Sequence, residues 1–152
     1  MRDRISQAMK EALKNKDQTA LATIRLISAA LKDRDIAART QDNADGISDD
    51  EILSMLQTMI KQRNESAKMY MDGNRPELAQ AEQQEITVIQ QFMPEQLDEE
   101  QVRQAIQLAL DETGSSSVKD MGKVMAFLKA RYAGQIDFSA ASQMVKQALL
   151  AS

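Results

Sequence analysis

Apolar side chains recur along this chain at intervals of three and four residues, the period of an amphipathic helix, and the pattern resolves into seven helices. The first covers about residues 3–15, with Ile5, Met9, Ala12 and Leu13 turned inward. The second, about 19–38, can be capped by Asp17 or Thr19 and has Ala20, Ile24, Ile27 and Leu31 as its stripe. After a polar loop from Thr40 to Gly46, Ser48-Asp49-Asp50-Glu51 has the form of a capping box, serine oxygen to the third amide and glutamate back to the first. It opens a long third helix, about 49–72, with Leu53, Leu56, Ile60, Ala67, Tyr70 and Met71 on one side.

Gly73 is placed to end that helix, and Asn74-Arg75-Pro76-Glu77 starts a fourth, about 75–92, with Asn74 as cap. So short a turn makes the third and fourth helices an antiparallel hairpin. Reflection about the turn sets Arg63 level with Glu85 and one turn from Glu82, so an ion pair across the hairpin is expected. It is read first as an internal brace and second as a polar ligand site. Pro94 disfavours helix at Met93, and Pro94-Glu95-Gln96-Leu97 divides an N-terminal helical domain, 1–93, from a C-terminal three-helix domain, 94–152. Asp98 caps a fifth helix, about 99–112, with Val102, Ala105, Ile106, Ala109 and Leu110 as its stripe. Gly114 and three serines lead to a sixth, about 118–131, which Gly134 ends. Ser139 caps a seventh, about 140–150, with Met144, Val145, Ala148 and Leu149 inward.

The sixth helix carries an anomaly. Met121, Val124, Met125 and Leu128 form its stripe, yet Gly122 lies in its first turns, where glycine costs about 1 kcal/mol relative to alanine. Something is therefore expected close to the backbone there, a neighbouring helix before a ligand such as an RNA backbone with Lys123 beside it.

Composition agrees with an all-α protein and narrows its chemistry. The chain has 152 residues, 43% of them apolar, with only five glycines and two prolines. It has neither cysteine nor histidine, which removes thiol nucleophiles, disulfides, the commonest metal ligand and the usual general base. No catalytic residue and no cofactor is expected. The acids at helix starts, such as Asp49, Asp50, Glu51, Asp98, Glu99 and Glu100, complement the helix dipole rather than form an acid–base pair. The charged amphipathic beginning lacks a secretory h-region and no run is long enough to span a membrane, so a cytoplasmic protein with no membrane partner is expected.

The net charge of −4 is blocked. Residues 1–34 hold eight basic and four acidic side chains, residues 35–112 six and seventeen, and residues 113–152 five and two. In the last block Lys119, Lys123, Lys129, Arg131 and Lys146 are candidate phosphate contacts beside Gly122. Lys119 and Lys123 are four apart on the sixth helix and share a face, so they are expected to meet successive phosphates, and Tyr132 is the aromatic near enough to stack on a base. A solvated polar surface is the competing reading.

Several of these segments together resemble the GatB/YqeY family. They are Pro94-Glu95-Gln96-Leu97, Gly114 with its serines, Asp120-Met121-Gly122-Lys123-Val124-Met125, Ala133-Gly134-Gln135-Ile136-Asp137 and Val145-Lys146-Gln147-Ala148-Leu149. The N-terminal part is similar to the free-standing YqeY branch at Met9-Lys10, Thr23-Ile24-Arg25, Lys61-Gln62-Arg63, Arg75, Leu78 and Glu85. The resemblance implies an all-α protein whose C-terminal domain is like the tail of the B subunit of the glutamyl-tRNA(Gln) amidotransferase, a carbon–nitrogen ligase that uses glutamine as nitrogen donor. It implies a link to tRNA and to an amidotransferase or synthetase, without the catalytic domains of that enzyme. A departure is Ile136-Asp137-Phe138, where the family often has Ala-Asp-Gly. A tRNA-binding accessory module is therefore expected, with a protein-docking module whose groove is lined by Met121, Met125 and Met144 as the alternative. A glutamine-dependent enzyme in its own right is the third reading.

Overall fold

The structure is a computed structural model that describes residues 1–151. Among these the backbone forms seven α-helices and one 3-10 turn, with no strand. In order they are α1 (Arg2–Lys14), α2 (Gln18–Arg39), α3 (Asp49–Asp72), α4 (Pro76–Gln90), α5 (Glu99–Thr113), the 3-10 turn (Val118–Asp120), α6 (Met121–Arg131) and α7 (Phe138–Leu150). The chain divides into two compact units, Met1–Met93 and the remainder from Pro94 on.

In the first unit the capping residues act locally and the core acts globally. Asp17 accepts from the Ala20 amide at 3.1 Å to start α2. Ser48 accepts from the Glu51 amide at 3.2 Å while Glu51 accepts from the Ser48 amide at 3.3 Å, which starts α3. The core joins Ile5 and Ala12 of α1, Leu21, Ile24, Ile27 and Leu31 of α2, Ile52, Met55, Leu56 and Met59 of α3, and Val88 and Ile89 of α4. Two inward assignments are corrected. Leu13 is 53% exposed, because it lies about a quarter-turn round α1 from the Ile5–Ala12 line. Met71 is 60% exposed, beyond Ala67, where the buried side chains of α3 end.

The turn between α3 and α4 is also built differently from the expectation. The left-handed residue is Asn74, with φ of 59°, whereas Gly73 stays at −86°. Asn74 therefore does not cap α4. Arg75 holds the cap position without a side-chain bond, and Pro76, which has no amide to satisfy, takes the first turn. The amides of Gly73, Asn74 and Arg75 close the end of α3 on the carbonyls of Met69, Met71 and Tyr70.

The second unit packs α5, α6 and α7 around Ala105, Ile106, Ala109, Val124, Leu128, Ile136, Ala141, Val145 and Leu149. Asp98 and Gln101 form a reciprocal cap at the start of α5, at 2.8 and 2.9 Å. Gly114, at φ of 63°, ends it. The Leu97 amide donates to the Gln135 carbonyl at 3.0 Å and Gln96 Nε2 donates to the Gly134 carbonyl, so the Pro94–Leu97 strip is fastened to the turn between α6 and α7. That turn overturns the expected start of α7. Asp137, not Ser139, is the cap, accepting from the Ser139 and Ala140 amides, so the helix begins at Phe138. A carboxylate one position before the helix reaches two free amides, whereas Ser139 already lies inside it.

Candidate nucleic-acid interface

The segment from Ser115 to Lys123 is shaped by Asp120. Its Oδ2 accepts from the Ser116 amide at 3.1 Å and the Ser117 amide at 3.3 Å. These amides lower the carboxyl below its ordinary range, partial burial opposes them, and the charge of Lys123 adds to the lowering. The folded-back carboxylate tightens residues 118–120 into a 3-10 turn, so the expected single helix over 118–131 is corrected to that turn followed by α6. Lys119 therefore stands on the turn and Lys123 on α6, both exposed, and the four-residue α spacing between them does not hold.

Gly122 is the second correction. No neighbouring helix packs on it. A methyl group built there would meet nothing within 4 Å. Its position leaves a bare, exposed stretch of helix backbone flanked by Lys123, with Lys119 on the preceding turn.

The other cations are placed around the unit rather than in one row. Six positions separate Lys123 from Lys129, which turns them roughly 120° apart on α6. Arg131 lies at the end of the same helix with its guanidinium 5.8 Å from the Phe127 ring centre, and Lys146 is exposed on α7. None of these five cations makes an ion pair within 4 Å among the described residues. Tyr132 is half-buried against the core of the unit, and so are Met121, Met125 and Met144. Phe138 packs against the same core.

In the first unit Arg63 Nε donates to Glu85 Oε2 at 2.8 Å and its Nη1 to the Met59 carbonyl at 3.1 Å. Glu82 makes no ion pair within 4 Å among the described residues. The pair is not accompanied by an unsatisfied buried polar atom among those residues, which suits a brace rather than a vacant ligand site.

Sequence reasoning missed one polar cluster. Arg2 Nη2 donates to Asp35 Oδ1 at 2.6 Å and to the Ile47 carbonyl at 2.9 Å, and the Ile47 amide donates to the same Asp35 oxygen at 2.9 Å. It ties α1, α2 and the strip before α3 together. The available signal was Gly46 next to a buried isoleucine. Gly46 sits at φ of 82°, and a side chain on it would run into the Asp35 carboxylate. Partial burial raises the Asp35 carboxyl, but the Arg2 and Ile47 hydrogen bonds and the charges of Arg2 and Arg39 outweigh it and leave the group below its ordinary value.

Comparison with known proteins gives a family and two relatives. The model of the family described as YqeY-like protein matches residues 2–149. A protein of Pyrenophora tritici-repentis named altered inheritance of mitochondria protein 41, mitochondrial, is 29% identical over 135 residues, 84% of this chain and 71% of its own length. A protein of the same name from Candida glabrata is 30% identical over 91 residues, 60% of this chain and 48% of its own. The chain thus spans about half the length of that second relative. The expectation of a cytoplasmic protein is corrected by these relatives, both of which are named as mitochondrial. Its basis was the lack of a secretory h-region, and import into an organelle does not depend on one. Among the described residues no helix is long and apolar enough to cross a membrane. With a match that runs from the start of α1 into the last turn of α7, the chain belongs to the YqeY-like protein family.

Proposed function

We propose that this protein is a tRNA-binding accessory module whose RNA face is centred on Gly122 and Lys123, with Lys119, Lys129, Arg131 and Lys146 around it. The module holds tRNA for chemistry done by an amidotransferase or synthetase and brings no catalytic group to it. The observation that carries the reading is the bare backbone at Gly122, where a methyl group would meet nothing. Neither packing nor a left-handed conformation accounts for a glycine there. A phosphate or ribose approaching the first turn of α6 would account for it, since positively charged helix starts favour anions and nearby lysines add to the attraction. Lys119 and Lys123, which flank Gly122, are exposed and make no ion pair within 4 Å among the described residues, which supports the same face.

Neither relative's name mentions tRNA. Those names bring a mitochondrial setting to the proposal, and a mitochondrial tRNA is the substrate class to test first. The docking of a protein on a methionine groove is the weaker reading, because Met121, Met125 and Met144 are packed on the core of the unit.

The test is a titration of the full chain against tRNA and an unrelated RNA of equal length. Preferential tRNA binding is expected, weakening about a hundred-fold between about 50 and 200 mM salt. Lys119→Glu with Lys123→Glu should abolish the preference and flatten the salt slope by roughly two phosphates. Equal weak binding to both RNAs, or a preference untouched by the double change, would remove the proposal.

A further inference from the structure

Helix α2 is apolar on two opposite sides, and only one of them faces the core. Leu21, Thr23, Ile24, Ile27 and Leu31 are buried. On the other side Ala22, Leu26, Ala29 and Ile36 form an exposed stripe, with Leu26 at 48% and Ile36 at 49% exposure. Beside that stripe stand Arg25, Lys32 and Arg39, spaced seven residues apart. Seven residues are nearly two turns, so the three cations run down one edge of the stripe at intervals of about 10.5 Å. All three are exposed and none makes an ion pair within 4 Å among the described residues. Asp33, also exposed, is the acid within the stripe.

In heptad terms Leu26, Asp33 and Thr40 occupy one seam position, Ala22, Ala29 and Ile36 the other, and the cations the flanking position that chooses a partner. We propose that this face of α2 docks an amphipathic helix of another protein, one that carries an apolar seam edged by glutamates or aspartates. The small side chains let a helix approach closely, Leu26 and Ile36 supply the apolar contact, and the cation row selects acidic edges.

Charge argues against the other occupants. Two copies of this chain meeting antiparallel along the stripe would set the cation rows against each other. Meeting in parallel, they would bring the two Asp33 carboxylates together in the seam. An RNA backbone would satisfy Arg25, Lys32 and Arg39 but leave Leu26 and Ile36 against a charged strand.

The experiment uses the full chain and two synthetic three-heptad peptides that share a leucine seam, one edged with glutamate and one with lysine. The glutamate peptide should bind and the lysine peptide should not. Arg25→Glu with Lys32→Glu should weaken the glutamate peptide about ten-fold and admit the lysine peptide, and Leu26→Ala should weaken the glutamate peptide alone. Circular dichroism of each variant should match the parent, since every substituted side chain is exposed. Failure of the glutamate peptide to bind, equal binding of both peptides, or indifference to charge reversal would overturn the proposal. So would displacement of the peptide by tRNA or by phosphatidylglycerol vesicles at this face, which would give it to RNA or to lipid.

Discussion

Arg63 and Glu85, 22 positions apart in the chain, meet across the α3–α4 hairpin with Nε 2.8 Å from Oε2, both side chains largely withdrawn from water. The guanidinium also holds the Met59 carbonyl of its own helix, so it is fixed at both ends. Removing the carboxylate strands a half-buried charge, whereas removing both charges does not. Glu85→Gln is expected to cost about 1–2 kcal/mol, and Arg63→Met with Glu85→Leu to cost less than that single change. Urea denaturation of both variants would show it; a double variant worse than the single one would mean that the pair adds net stability.

The Arg2–Asp35 contact predicts how stability depends on acid. The Asp35 carboxyl is lower in the folded protein than in the unfolded chain. Its contribution is therefore fully present above the ordinary carboxylate pKa of about 4 and is lost as pH falls through the lower folded value. Asp35→Asn should cost about 1–2 kcal/mol near pH 7, and the two denaturation curves should approach each other as pH falls below the ordinary carboxylate range. Parallel curves over that range would place the Asp35 contribution in packing rather than charge.

Gly46 and Gly114 both have positive φ but different surroundings. A side chain at Gly46 meets the Asp35 carboxylate and the Arg2 guanidinium, while one at Gly114 meets nothing within 4 Å. Gly114→Ala should cost about 1 kcal/mol, the backbone penalty alone. Gly46→Ala should cost about 2–3 kcal/mol, because it also forces apart the cluster that joins α1, α2 and the start of α3. Equal losses in thermal or urea unfolding would show that the cluster yields freely.

Gly122→Ala separates folding from binding. The space is open and the backbone helical, so alanine should stabilise the second unit by about 0.5–1 kcal/mol. If RNA lies against this backbone, the same methyl group should weaken tRNA binding several-fold. A more stable protein with unchanged tRNA affinity would leave the glycine without a binding role.

Most of the secondary structure was legible because its causes are local. The capping boxes at Ser48, the cap at Asp98, the stop at Gly114 and the proline at position 76 each act within four residues, and the sequence displays them. The Arg63–Glu85 contact was legible for a related reason: a tight turn makes two helices mirror each other, so sequence position converts directly to height. The family resemblance, too, is a property of residue order, and the match over residues 2–149 bears it out.

What the sequence could not decide is which side of a helix the rest of the chain would cover. Leu13 and Leu26 are as apolar as Leu31, yet only Leu31 is buried, because burial depends on where the neighbouring helices lie. For the same reason the emptiness around Gly122 is visible only in three dimensions: a glycine reads alike whether a helix packs on it or nothing does. The Asp35 cluster joins residues 2, 35 and 47, and no local period links those positions. Propensity and capping act over one or two helical turns, so the sequence by itself set out the helices and their ends. Packing acts between segments distant in the chain, and it alone chose the faces left for a partner.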